Sequence, residues 1–259
     1  MAVYEFDGEE YKRASAHQKE WGGRIIEELP LRGNESVLDL GCGDGILTRR
    51  LAKRVPAGRV IGIDSSWGMI KSAKPLERDN LEFRLMDMAY LNVEDEFHLV
   101  FSNATLQWIK DHRRLLRSIY RSLKPDGIAR FNFAGDRNCV NFFEVVREAM
   151  SDGRFAKYFE RFDWPWFTPT TDEYRELVET IGFRHVRVWD ENADRYFVDA
   201  DEMTRWIDQP CLVPFLKRLA GKDREDFRNR VVDQMIDRTR QEDGTCFETF
   251  RRINVVARK

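Results

Sequence analysis

The chain has 259 residues, 42% of them apolar and 34% charged, enough to bury a core in one large α/β domain with a modest insertion. Its 43 Lys and Arg against 45 Asp and Glu leave no basic excess, which argues against general nucleic-acid binding, and no apolar run approaches the roughly 18 residues of a membrane span. Cys42, Cys139, Cys211 and Cys246 have neither Cys-x-x-Cys spacing nor clustered histidines, so no metal site is expected. The acidic opening Met1–Glu10 is unlike a secretory leader and points to a reduced, cytoplasmic protein.

Trp21, Ile25, Ile26 and Leu29 at helical spacing predict a helix over Ala14–Leu29. Ser36–Leu40 reads as a short apolar strand, Ile46–Arg54 as a helix ended by Pro56 and Gly58, Arg59–Asp64 as a second strand and Trp67–Ala73 as a short helix closed by Pro75. Leu81–Met86 and Phe97–Ser102 are the third and fourth strands. Asp111 caps a helix that runs through Leu123, Pro125 and Gly127 end it, and Ile128–Phe133 is the fifth strand. Short apolar strands alternating with helices predict an α/β fold with a doubly wound, mostly parallel sheet, its ligand crevice at the carboxyl ends of the strands.

Beyond Phe133 the pattern is less regular. Helices are expected at Asn138–Met150, Asp172–Ile181, Glu202–Asp208, Val213–Leu219 and Arg224–Arg240. A strand at Arg184–Trp189 runs on toward Phe197, and Phe250–Ala257 is a terminal strand. The late helices are expected to form a lid over the crevice. One domain is therefore read as a helical cap over residues 1–30, a cofactor-binding core over 35–135, a helical lid over 136–245 interleaved with a late strand, and a terminal strand over 246–259.

The most informative segment is Val37-Leu-Asp-Leu-Gly-Cys-Gly-Asp-Gly45, a strand running into a glycine-rich turn that opens a helix. Gly41, Gly43 and Gly45 permit tight bending and close backbone approach to a ligand. The last glycine of a dinucleotide fingerprint is replaced by Ile46, and Asp39 would repel a pyrophosphate but attract a cation. S-adenosylmethionine carries a sulfonium and an ammonium group without phosphate, so the acids favour it over NAD. Asp64, with Ser65 beside it, ends the second strand where an acid can accept both ribose hydroxyls. Asp87 follows the third strand where a carboxylate can accept the adenine amino proton, with Met86, Met88, Trp67 and Met69 packing on the ring.

Val37–Gly45, Asp64, Met86-Asp-Met88 and Leu123-Lys-Pro-Asp-Gly127 follow the motif order of class I S-adenosylmethionine-dependent methyltransferases, which the chain resembles from Glu35 to Phe133. Phe101-Ser-Asn-Ala-Thr-Leu-Gln-Trp-Ile-Lys-Asp-His112 and the ending Phe250–Lys259 resemble those of trans-aconitate methyltransferases. Ser15-Ala-His-Gln18 with Gln107-Trp108 is similar to juvenile hormone acid methyltransferases. The resemblance implies a seven-stranded Rossmann-like fold and methyl transfer to a carboxylate oxygen of a small organic acid. It implies Asn103 or Ala104 near the methionine part of the cofactor, Gln107 and Trp108 facing the acceptor, Gln18 donating from the first helix and Tyr11 covering the site.

A carboxylate is ionised at neutral pH, so orientation and water exclusion suffice and no general base is expected. Arg137, Arg161, Arg195 and Arg205 are candidates for holding further carboxylates. The aromatic run Phe162-Asp-Trp-Pro-Trp-Phe167 is either a pocket wall or an anchor of the insertion. Two alternatives remain open: a nitrogen or carbon acceptor in the same fold, or a protein that binds the cofactor and transfers nothing.

Overall fold

The computed structural model describes residues 16–259, so Tyr11 lies outside the described residues. Two compact units divide the chain. One comprises residues up to Asp136 with Trp166–Glu191 and Arg252–Lys259, the other Arg137–Pro165 with Asn192–Arg251.

The first unit is built on a seven-stranded sheet. It contains α1 (Ala16–Glu28), β1 (Ser36–Leu40), α2 (Ile46–Arg54), β2 (Arg59–Asp64), α3 (Trp67–Ala73), β3 (Leu81–Leu85) and β4 (Phe97–Asn103). After α4 (His112–Ser122) come β5 (Leu123–Ala134), α7 (Thr171–Ile181), β6 (Arg184–Asn192) and β9 (Arg251–Arg258), the intervening elements belonging to the second unit. The strand order is β3-β2-β1-β4-β5-β9-β6. The first five strands pair in parallel and β9 runs antiparallel to β5.

Both sheet faces are covered, which is why β1 and β4 read as nearly continuous apolar runs. Val37, Leu99 and Phe101 face a layer with Leu51 and Ile25; Leu38, Leu40 and Val100 face another with Leu116 and Ile119.

Strand β5 starts earlier than Ile128, the first residue of the expected strand, because Leu123 already pairs with Phe97. The register then shifts between Phe97 and Leu99, which absorbs the Lys124–Gly127 turn and leaves Asp126 at φ 61°. Strand β6 does not run on to Phe197. The Asn192 side chain accepts from Asp194 N (2.9 Å) and turns the chain, and Arg195–Phe197 (β7) pairs instead with Cys246–Glu248 (β8) in a separate two-stranded sheet.

In the second unit, α5 (Val140–Ser151) and α10 (Gly221–Thr239) pack together around Phe142, Phe159, Phe215 and Phe227. The helix expected over Glu202–Asp208 is α8 (Ala200–Trp206), after which Gln209 leaves helical geometry (φ −142°, ψ 102°). A residue before proline is disfavoured in the helical region, and Pro210 follows it. The aromatic run divides between the units: Trp164 packs on Phe143 and Phe215 in the second, whereas Trp166 and Phe167 belong to the first. No described helix is long and apolar enough to cross a membrane.

A buried polar tie fixes the segment between β4 and α4. Leu106–Trp108 forms one short 3₁₀ turn. The Leu106 carbonyl can only accept, so His112 Nε2 carries the proton and donates to it (3.0 Å). His112 Nδ1 then accepts from the Tyr174 hydroxyl (3.0 Å). Thr170 and Glu173 form a capping box that starts α7 and sets Tyr174 in place. Phe167 stacks on His112 at 4.5 Å. Burial lowers the His112 pKa to about 4, against backbone bonds that raise it. The unfolded chain therefore binds more protons between pH 6.5 and about 4, so this group's stabilising contribution is lost as the solution is acidified across that window. Tyr174→Phe leaves His112 Nδ1 without a donor and is expected to lower stability by about 1–3 kcal/mol. Urea unfolding checks this; an unchanged midpoint would show that the tie contributes nothing.

Candidate active site

The glycine turn after β1 folds back along the end of β2, where Gly41 N and Cys42 N both donate to the Ile63 carbonyl (2.8 and 3.0 Å). Gly41 has φ 72°, and a Cβ there would collide with Thr105. Gly43, at φ 54°, has nothing within 4 Å of the position a Cβ would take. Close packing thus demands the first glycine, whereas the second leaves open space where a ligand can approach the backbone.

Asp64 holds this turn. Its Oδ2 accepts from Gly43 N (3.0 Å) and its Oδ1 from Ser66 N (2.9 Å). Helix α3 is capped by Ser66, whose hydroxyl accepts from Met69 N, so Asp64 is not its cap. Ser65 is exposed at the same turn. Asp87 caps the short Met88–Tyr90 turn through Ala89 N (2.8 Å) with one oxygen, and its other oxygen has no hydrogen bond among the described residues. Met69 and Met88 are buried. Trp67 is mostly exposed beneath Lys71, so it stands toward solvent rather than with the methionines.

Asp39 lies fully buried below the turn and accepts from the Thr48 hydroxyl (2.7 Å). Burial, opposed by that bond and reinforced by the charge of Asp64, raises its pKa to about 7. Asp44 is paired with Lys19 of α1 at 2.7 Å.

A second turn, after β4, faces the first. Thr105 Oγ1 donates toward the carbonyls of Gly41 and Asn103 (3.1 Å each), and Ser102 Oγ donates to the Leu40 carbonyl (2.8 Å). Ala104 sits at φ 57° and donates its N–H to the Asn132 carbonyl at 2.7 Å. Asn103 Nδ2 donates to the Gln18 carbonyl (2.9 Å), which fixes α1 over the turn; a Cβ on Gly22 would lie only 3.0 Å from the Asn103 amide. Gln107 Nε2 donates to the Ala104 carbonyl (2.8 Å), Phe167 N donates to the Gln107 carbonyl (2.8 Å), and the Trp108 and Trp166 rings stand 5.4 Å apart.

Gln18, Asn103 and Gln107 are thus gathered at the carboxyl end of β4. Asn103 Oδ1, Gln18 Oε1 and Gln107 Oε1 are buried without a hydrogen-bond partner among the described residues. Unsatisfied buried acceptors are costly and call for donors. An ammonium beside Asn103 and Gln18 would supply them, and a cation suits the carboxylates of Asp39 and Asp64. The described residues therefore fit a cationic nucleoside with a free diol.

Sequence reasoning missed Thr105, Thr48, Lys19 and the His112–Tyr174 tie. A polar Thr48 on the buried face of amphipathic α2 was a readable signal. Arg195, a candidate for a substrate carboxylate, is instead paired with Glu202 (2.6 Å) inside the second unit.

A model of the methyltransferase domain matches residues 37–127, which span the glycine turn, Asp64, Asp87 and the post-β4 turn. The trans-aconitate 2-methyltransferase of Deinococcus radiodurans is 31% identical over 77% of this chain and 78% of its own. That of Variovorax paradoxus is 28% identical over 96% of both. Phosphoethanolamine N-methyltransferase 2 of Haemonchus contortus, solved with S-adenosyl-L-methionine, superposes with a TM-score of 0.62 at 19% identity, covering 96% of this chain and 56% of that one. The chain belongs to the class I S-adenosylmethionine-dependent methyltransferases, in the family that includes the trans-aconitate 2-methyltransferases.

Proposed function

We propose that the chain transfers a methyl group from S-adenosylmethionine to a carboxylate oxygen of a small organic acid, of which trans-aconitate is the first to test. The observation that carries the donor is the pair of buried acceptor oxygens on Asn103 and Gln18 without a partner among the described residues, together with the open space at Gly43. Asp64 would hold the ribose diol, with Ser65 at its side, and Asp87 with Met69 and Met88 the adenine; Asn103 would accept from the ammonium. When bound, the sulfonium supplies an electrophilic methyl carbon.

The acceptor reading draws support from what the second turn offers. Gln107 and Trp108 are neutral, so a carboxylate placed against them would keep its charge. His112 sits behind them with both ring nitrogens engaged and a pKa of about 4, so it is unsuited to take a proton near neutral pH. An ionised acid needs no such base, and alignment in a water-poor site can lower the barrier by roughly 7–11 kcal/mol.

A tritiated-methyl screen over mono-, di- and tricarboxylates is expected to give base-labile label. Base-stable label on an amine or carbon acceptor would overturn the ester assignment, and tight donor binding with no transfer would leave a binding protein.

Asp39 couples donor binding to pH. A cation bound nearby favours its ionised form, so binding pulls its pKa down from about 7 and releases a proton. Donor affinity is expected to rise with pH through about 7, while the rate at saturating donor stays flat. Calorimetry in buffers of differing ionisation enthalpy reads the released proton, and Asp39→Asn should abolish it. An unaltered proton count in that variant would reject the linkage.

Asp64→Asn is expected to weaken donor binding about 10- to 100-fold, the loss of one or more bonds to a charged acceptor. Trp108→Ala should raise KM for the acid with donor affinity intact. Normal kinetics in either variant would remove that residue from the site.

A further inference from the structure

Helix α4 carries an arrangement of charge that neither its stability nor the donor site explains. Its buried side holds His112, Leu115, Leu116 and Ile119. Arg114, Arg117 and Arg121 lie on its outer side at i, i+3 and i+7, one stripe of the helix surface. Arg113 and Arg117, and Arg117 and Arg121, are like charges at i, i+4, a spacing that destabilises a helix. Asp111 caps the helix through Arg114 N, but no acid lies within the first turn, where Arg113 and Arg114 oppose the helix dipole.

Compensation within the described residues is slight. Arg113 reaches the Thr180 hydroxyl (3.5 Å), and Arg121 reaches Glu94 and Asn92 at a well-exposed pair. The Arg114 and Arg117 guanidiniums have no carboxylate partner among the described residues.

These arginines line a groove. Arg114, Arg117, Ser118 and Arg121 form one wall, and Ala89 to Asn92, with Tyr90 70% exposed, form the other. The groove holds about 470 Å³ and no carboxylate lines it. That volume falls within the roughly 300–1,000 Å³ of small-molecule sites. A smaller cavity shares Ala89, Tyr90 and Arg114 with it and is also lined by Asp87 and Asp111, and Glu94 pairs with Arg121.

Convergent guanidiniums on one wall, facing a tyrosine that adds a ring and a hydroxyl, match the planar oxygens of carboxylate or phosphate groups. We propose that this groove is a second ligand site, for a small molecule carrying at least two anionic groups. Tricarboxylates and phosphate esters share that chemistry.

The site needs no methyl transfer, so its test is independent of the proposed reaction. Calorimetry on the whole chain at fixed ionic strength, with inorganic pyrophosphate and with citrate as separate probes, is expected to show one-to-one binding of at least one probe. Arg114→Gln/Arg117→Gln should weaken it at least tenfold while S-adenosylhomocysteine affinity and the unfolding midpoint stay unchanged. Arg50→Gln/Lys53→Gln, which removes equal charge from exposed positions on α2, should leave it unaltered. The tighter probe identifies the source, phosphate ester or polycarboxylate. Equal affinity in the Arg114/Arg117 variant, equal losses in both variants, or no saturable binding of either probe would overturn the proposal.

Discussion

The site rests on the fastening of two strand-end turns to each other. Strand β4 outlasts its pairing with β1, where Asp39 meets Phe101, and so delivers Ser102, Asn103 and Thr105 alongside the glycine turn. The Thr105 hydroxyl then bonds the Gly41 carbonyl in a space that any side chain at position 41 would fill. Each such bond contributes only about 1 kcal/mol net. Their effect is positional: Ala104 is held at φ 57°, a conformation costly for a residue with a Cβ, by the Asn132 carbonyl on one side and the Gln107 amide on the other. The strain sits where the backbone turns sharply between Asn103 and Gln107.

Charge is arranged around that pair of turns in layers. Asp64 is fastened by two backbone N–H groups, which fix the position of its carboxylate. Asp39, deeper and bonded to a single hydroxyl, is held near the edge of ionisation. An apo protein with both carboxylates charged at this separation repels itself. A cation bound between them would relieve that repulsion. By the same sign argument, Asp39 binds more protons folded than unfolded between pH 3.8 and about 7, so its contribution to the stability of the ligand-free chain declines as pH rises through that window.

What was legible in the sequence follows from this geometry. Strands β1, β2 and β4 are buried on both faces, so their apolar runs are unmistakable, and the donor residues follow within a few positions of each strand end. The positions of Asp64 and Asp87 at the ends of β2 and β3 could therefore be read by counting. The partners of the second turn could not. Thr105, Asn132 and Tyr174 matter through bonds to residues distant in sequence, and a serine or threonine two places past a strand carries no local mark of the bond it makes. The failures in the second half have local causes that were present but outweighed by periodicity. Asn192 bends the chain with its own side chain, and Pro210 forbids helical geometry at Gln209.

The two halves of the first unit's site also differ in what holds them. Asp64 and Asp87 depend on β2 and β3 and on a turn in which Gly41 leaves no room for a side chain. The Gln107–Trp108 turn depends on a later stretch, Trp166 to Tyr174, which supplies a backbone bond, two aromatic contacts and the hydroxyl on His112. Substitution in that stretch can tilt Trp108 or shift the Gln107 amide without touching Gly43 or Asp64. A fold organised this way keeps one methyl donor while its acceptor varies, because the constraints on the two ligands fall on different residues. The Gln107–Trp108 turn carries neutral side chains, and the imidazole beside it is committed at both nitrogens.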